Sequence, residues 1–197
     1  MVRGVMPQGI ERLARAVSVA GHPAVLMPVA ALVTASPPMA PGVIVASLAC
    51  ASAILGYSYY KLRRGDWVHV DASLPAERAQ LNSRVGGGLL VAAAVLWLAG
   101  LDAGFPLAVG LSGLIVAVGH LFRSVAKLSL HVAFAVFAAV LVWPNHVASG
   151  GLALAAVGIA WSRLALRRHV AADIILGALA GAAAGLAFHA AVARLAP

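Results

Sequence analysis

Apolar residues fill this chain in long runs, which polar or proline-containing segments interrupt. Most runs approach the roughly 20 residues that a helix needs to cross the hydrocarbon core of a bilayer. They lack the strict alternation of apolar and polar residues that is typical of half-buried strands. The pattern therefore predicts an all-α chain whose helices cross a membrane. The seven runs lie near 17–36, 42–60, 85–101, 104–121, 128–143, 147–162 and 172–193.

Two short runs and the segment before the first run refine this prediction. The runs at 128–143 and 147–162 are short for a span, so we expect six or seven spans in one polytopic helical bundle. Before the first run, residues 1–16 read as an amphipathic helix at the membrane surface, with Leu13 on its apolar face and Arg12 on its polar face. We interpret 1–197 as a single membrane-embedded domain.

Composition supports a membrane protein and limits its partners. Hydrophobic residues make up 62% of the chain and charged residues 10%, whereas soluble domains carry roughly 25% charge. The net charge of +8 would indicate nucleic acid in a soluble protein. Here basic residues are better explained by cytoplasmic loops and anionic headgroups, so we expect membrane lipids and no nucleic acid as partners. We predict no particular oligomeric state.

The basic residues also predict an orientation. If all seven runs cross, Arg194 alone lies on one side and the other basic residues crowd the opposite side, which the positive-inside rule assigns to the cytoplasm. This predicts a multi-pass protein of the plasma (inner) membrane. The crowded side holds three polar segments: a loop at 61–84, a connection at 122–130 and a segment at 162–173.

The segment 162–173 has the strongest potential for chemistry. His169 and Asp173 are four residues apart, so on a helix they share one face. A carboxylate in that position can hold an imidazole in one tautomer and stabilise its charged form. Arg163 offers a fork of donors suited to phosphate oxygens. This combination indicates a site that acts on an anion such as a phosphate.

Four residues of this segment carry a resemblance to a known family. Ser162, Arg163, His169 and Asp173 match every fixed letter of SRxxxxxHxxxD, the third signature motif of the type 2 phosphatidic acid phosphatase superfamily. Upstream, Ser129 and His131 keep the serine and histidine of the second motif, PSGH.

The first family motif, KxxxxxxRP, is matched only in part. Arg78 stands at the position of its arginine, while Asp71 replaces its lysine and Ala79 its proline. Lys127, two residues before Ser129, is our candidate for the missing cation.

The resemblance implies a metal-independent lipid phosphate phosphatase without a cofactor. Asp173 would orient His169, His169 would attack phosphorus to form a phosphohistidine, and His131 would protonate the leaving oxygen. The substrate would be a prenyl or polyprenyl (di)phosphate, phosphatidate or phosphatidylglycerophosphate. The expected substrate-binding residues are Arg78, Lys127, Ser129, Ser162 and Arg163.

Other functions remain open at this point. The same ionisable residues could line the path of a small transporter, or the chain could be an inactive relative that binds a lipid phosphate. A metal site built from His131, His169 and Asp173 is also consistent with residue type, but the arginines beside them suit an anion better. No role is assigned to the other histidines, which are His22, His69, His120, His146 and His189.

Small residues at four-residue spacing mark the last run. Gly177, Gly181 and Gly185 fall on one helical face, and in lipid such spacing lets helices approach closely. We predict that this face is the packing seam of the helix that carries Asp173.

Overall fold

The structure, a computed structural model, describes residues 7–35, 37, 40–68, 72, 74–125 and 127–195. Eight α-helices run through this part of the chain, and no strand occurs in it. The prediction of an all-α bundle is therefore confirmed. The helices are α1 Gln8–Ala20, α2 Pro23–Thr34, α3 Ala40–Arg63, α4 Pro75–Leu98, α5 Gly104–Leu121, α6 Leu130–Leu141, α7 His146–Ala165 and α8 Ala171–Leu195.

Helix length decides which of these helices can cross a bilayer alone. Five of the described helices (α3, α4, α5, α7 and α8) are long and apolar enough, and α1 with α2 would form a sixth span, bent by 50°. By contrast, α6 has 12 residues, so it is about 18 Å long against a core of about 30 Å. A polytopic bundle is thus confirmed, with α6 as a short apolar helix inside it.

The first predicted run, 17–36, is broken rather than continuous. α1 ends at Ala20, Gly21 turns the chain, and α2 begins at Pro23. Gly21 is needed there because a Cβ would lie 2.3 Å from Cγ1 of Ile159 on α7. The predicted surface helix 1–16 accordingly extends to Ala20, and its residues before Pro7 lie outside the described part of the chain.

The predicted polar loop 61–84 is also shorter than expected. Its last ten residues are the first turns of α4, so the connection between α3 and α4 covers only 64–74. Glu77 explains the early start, because its buried carboxylate accepts hydrogen bonds from the backbone N–H groups of Val68 (2.6 Å) and Leu74 (3.3 Å). The bond from Leu74, the N-cap residue, stabilises the start of α4, and the bond from Val68 ties this helix to the preceding connection. His69 and Asp71 lie outside the described residues.

At the centre of the bundle, α6 runs alongside α8 at very short range. A Cβ on Gly177 would lie 2.6 Å from the carbonyl oxygen of Ser129, and one on Gly181 would lie 2.2 Å from that of Ala133. A Cβ on Gly185 would lie 2.5 Å from side-chain atoms of Val140. These contacts show that both helices run in the same direction. They also show that the glycine face of α8 packs on α6.

Both helices begin at the same end of the bundle, which we call the site end. The backbone N–H of Ser129 donates to the carbonyl oxygen of Asp173 at 3.1 Å, so the first residues of α6 and α8 are directly joined. α4 and α5 are antiparallel, with Gly86 against Ala117 and Gly113 against Leu90. This register brings the start of α4 to the site end as well.

Candidate functional site

The pair formed by His169 and Asp173 is the best-defined feature of the site end. His169 Nδ1 lies 3.0 Å from Asp173 Oδ2, and the backbone N–H of Val170 donates to the same oxygen at 3.2 Å. An ionised carboxylate only accepts hydrogen bonds, so in neutral His169 the proton is on Nδ1. Nε2 then carries the lone pair, which is the form a nucleophilic imidazole requires.

The contact forms in a different way from the one that the sequence predicts. α8 begins at Ala171, so His169 precedes the helix instead of sharing a face of it. Asp173, in the first helical turn, reaches back to His169. Arg167 makes this approach possible by turning the chain after α7 with a left-handed φ of 52°, a conformation that costs a non-glycine residue about 1–2 kcal/mol. The N–H groups of Arg168 and His169 then donate to the carbonyl oxygen of Arg163.

Arg163 and Ser162 lie in the last turn of α7, and their side chains make different contacts. Arg163 is buried, and its Nη1 donates to the hydroxyl of Ser18 on α1 at 2.9 Å. It also lines a large cavity inside the bundle, which we call the central cavity. Ser162 is fully buried, and its hydroxyl donates to the carbonyl oxygen of Ile159 within the same helix at 2.8 Å. The structure therefore places Ser162 behind the cavity wall, where its hydroxyl is already engaged.

The start of α6 supplies the second histidine. Ser129 is the N-cap residue of α6, and its buried hydroxyl has no hydrogen-bond partner among the described residues. His131 follows in the first turn and lines the central cavity. Free backbone N–H groups and the positive end of the helix dipole favour an anion at such a position. His131 also contacts the ring of His22 edge to face, with 5.2 Å between ring centroids.

A cavity of about 1900 Å³ joins these groups. At its site end it is lined by Arg78, Lys127, His131, Arg163 and His169, which are five of the eight predicted site residues. Ser129, Ser162 and Asp173 stand behind this wall. Further along, mainly apolar side chains from α2, α3, α4 and α5 form the walls, with polar side chains such as Ser58, Asn82 and Ser112 among them, and the lining reaches Trp143 and His189 at the opposite end. One cavity thus offers cations and imidazoles at one end and a mainly apolar channel beyond them.

Three further polar residues belong to this end of the cavity, and sequence reasoning missed them. Ser18 holds Arg163, His22 contacts His131, and the carbonyl oxygen of Arg168 accepts a hydrogen bond from Lys127 Nζ at 3.4 Å. A proline directly after His22 is typical of a helix start, but nothing in the sequence shows which residues that start would meet.

The protonation state of His169 is set mainly by burial. Loss of hydration lowers its pKa from 6.5 to about 4, the hydrogen bond that His169 donates to Asp173 opposes the shift, and the charges of Arg163 and Lys127 add to it. His169 lies in the connection between α7 and α8, outside the helices that could span a membrane. Its imidazole is therefore neutral at pH 7 and available as a nucleophile.

A titration checks this directly. In protein labelled with ¹³C at histidine Cε1, the signal that disappears in His169→Gln should titrate near pH 4, well below the ordinary histidine pKa of about 6.5. A midpoint for His169 at 6.5 or above would contradict the buried, neutral imidazole.

The metal alternative requires three ligands in one place. Among the described residues, no group of three His, Cys, Asp or Glu side chains could hold a metal ion. The set of His131, His169 and Asp173 therefore does not form such a group here.

Comparisons of the chain with protein-family models, with curated proteins and with solved structures found no match. Function is therefore inferred from the residues of the site and their geometry.

Proposed function

We propose that the protein is a membrane phosphatase that hydrolyses a lipid phosphate or diphosphate through a phosphohistidine intermediate. The observation that carries this proposal is the buried His169–Asp173 pair, which lies beside a cavity with cations at one end and apolar walls beyond. The match of Ser162, Arg163, His169 and Asp173 to the SRxxxxxHxxxD motif supports the same activity.

The proposed reaction has two steps. In the first, Nε2 of His169 attacks phosphorus, the P–N bond forms, the P–O bond to the lipid breaks, and His131 gives its proton to the leaving oxygen. In the second, water attacks phosphorus and gives a proton to His131, the P–N bond to His169 breaks, and inorganic phosphate leaves. Asp173 stabilises the charge that develops on His169. A phosphate dianion beside His131 favours the charged form of that imidazole, which the first step needs.

Arginine and lysine side chains would stabilise the transferred group. Arg163 is already held in place by Ser18, so little side-chain freedom is lost when it binds phosphate oxygens. Lys127 and Arg78 line the same end of the cavity and would share the negative charge. The hydroxyl of Ser129 is a further buried donor at the start of α6.

The volume of the cavity and its mainly apolar walls favour a long apolar substrate. Sites for drug-sized ligands have volumes of about 300–1,000 Å³, and this cavity is larger, at about 1900 Å³. The test is release of inorganic phosphate by the purified protein in detergent from prenyl diphosphate, polyprenyl phosphate, phosphatidate and phosphatidylglycerophosphate. Absence of release from the whole panel, with protein shown to be folded, would exclude the proposed reaction for these substrates.

We place the site end on the cytoplasmic side of the plasma (inner) membrane, from the bias of basic residues. Two valines of nearly equal exposure provide the test: Val125 beside the site end (86% exposed) and Val147 at the opposite end (88%). In a Cys50→Ala background, Val147→Cys should react with an impermeant maleimide in intact cells. Val125→Cys should react only after permeabilisation. The reverse pattern would place the site outside.

One observation favours a second function, transport of a lipid phosphate. The cavity continues past the apolar walls to Asn145 and His189 at the far end of the bundle, and polar groups along such a path are typical of transporters. A flux assay in proteoliposomes, run beside the phosphate-release assay, separates the two functions.

A further inference from the structure

The bend between α1 and α2 places side chains against two residues of the proposed site, Arg163 and His131. Ser18, in the last turn of α1, accepts the hydrogen bond from Arg163. His22, at the start of α2, contacts His131 edge to face. The bend of 50° at Gly21 gives these two side chains their separate directions. A segment outside the family motifs therefore touches the arginine of one motif and the histidine of another.

The tautomer of His22 is fixed by its own helix. His22 is the N-cap of α2, and its Nδ1 accepts a hydrogen bond from the backbone N–H of Ala24 at 3.1 Å. A ring nitrogen that accepts a hydrogen bond carries no proton. Neutral His22 therefore has its proton on Nε2. Protonation of Nδ1 would break the cap, which stabilises a helix by about 1 kcal/mol, so the cap favours the neutral ring.

Among the described residues, the titratable groups that act electrostatically on His131 are all basic. Arg163 acts from the end of α7, and Arg168 and His169 act from the connection before α8, while His22 faces it from α2. A charged His22 would add to the repulsion of a protonated His131. A neutral His22 avoids that repulsion and packs its ring against His131, which restricts the orientation of the second imidazole.

We propose that His22 is a positioning residue that holds the imidazole of His131 in place for proton transfer. This inference rests on the proposed function for its catalytic consequence, but the contact between the two rings exists independently of it. His22 acts through His131, so it controls the rate of the step in which His131 gives its proton to the leaving oxygen.

The substitution His22→Asn separates this role from the structural one. Asparagine is among the best N-cap residues, so the cap to Ala24 is retained while the ring contact is lost. We expect thermal stability close to that of the wild type and kcat lowered about 10- to 100-fold with KM little changed, because general acid catalysis contributes about 10²–10⁴-fold. The pH profile of kcat should shift, whereas loss of a helix cap alone would leave that profile in place. His22→Ala, which removes both cap and ring, should lose stability in addition.

A measurement without substrate keeps this inference distinct from the phosphatase proposal. In ¹³C-histidine-labelled protein, the signal assigned to His131 through His131→Gln should change its position and its titration midpoint in His22→Asn. If the wild type releases phosphate and His22→Asn leaves both kcat and the His131 signal unchanged, the positioning role is overturned and the phosphatase stands. If the wild type releases no phosphate but the His131 signal responds, the phosphatase proposal fails and the ring pair stands. An unchanged signal in inactive protein overturns both.

Discussion

Replacing His169 by alanine is expected to reduce phosphate release at least about 10³-fold, because the variant loses the atom that attacks phosphorus. The remaining groups would still bind the substrate, so KM should change much less than kcat. The fold should survive, since Asp173 keeps its hydrogen bond from the N–H of Val170. The measurement is inorganic phosphate release in detergent, with the unfolding midpoint as a check on structure.

The matched control is His146→Ala. His146 is an exposed histidine at the start of α7 that packs on Trp143, at the end of the bundle opposite the site, and is not itself a lining residue of the cavity. The same chemical change there should leave activity within about twofold, as expected for surface substitutions away from special features. Full activity in folded His169→Ala would rule out the proposed nucleophile.

Trapping the intermediate distinguishes the two histidines of the site. With a ³²P-labelled lipid phosphate, rapid quenching should give wild-type protein an acid-labile phosphoryl label, and His169→Ala should give none. His131→Ala should still form the label, only more slowly, because His131 assists the leaving group without bonding to phosphorus. A label of equal size in His169→Ala would mean that another residue is the nucleophile.

The sequence predicts the parts of this site that depend on local spacing. Four residues separate His169 from Asp173, and that spacing allows their contact even though His169 lies outside the helix. The alternation of long apolar runs with polar segments likewise brings Lys127, His131 and Arg163 to one end of the bundle. Sequence separation between these residues is large, but the length of each run constrains where its ends can lie.

What the sequence does not predict depends on contacts between distant segments. The start of α4 at Pro75 follows from bonds between Glu77 and the preceding loop, while the polar letters of 75–84 resemble those of a loop. The burial of the Ser162 hydroxyl depends on which face of α7 packs inward. The contact of His22 with His131 depends on the bend between α1 and α2, where Gly21 packs against Ile159 of α7. A pattern of hydrophobicity carries no information about such pairings.

The glycine seam of α8 yields the largest expected effect on stability. Gly181→Ala would place a Cβ 2.2 Å from the carbonyl oxygen of Ala133 and 3.0 Å from the backbone nitrogen of Phe137. Backbone atoms cannot rotate away as a side chain can, so α6 and α8 must separate. Overpacking typically costs about 1–3 kcal/mol and occasionally more, and we expect about 3 kcal/mol here. The midpoint of thermal or denaturant unfolding in detergent measures this loss.

Gly88→Ala is the matched control, because a Cβ on this glycine of α4 meets no atom within 4 Å. Alanine is favoured over glycine inside a helix by roughly 0.5–1 kcal/mol, so this variant should be unchanged or slightly more stable. Gly181→Ala should also lose activity, since the separation of α6 from α8 strains the bond between Ser129 N–H and the carbonyl oxygen of Asp173. That bond links the start of α6, which carries His131, to the backbone of the residue whose carboxylate holds His169. Equal stability of the two variants would show that α6 and α8 do not pack through Gly181, and the register that brings the two histidines together would then have no support from this seam.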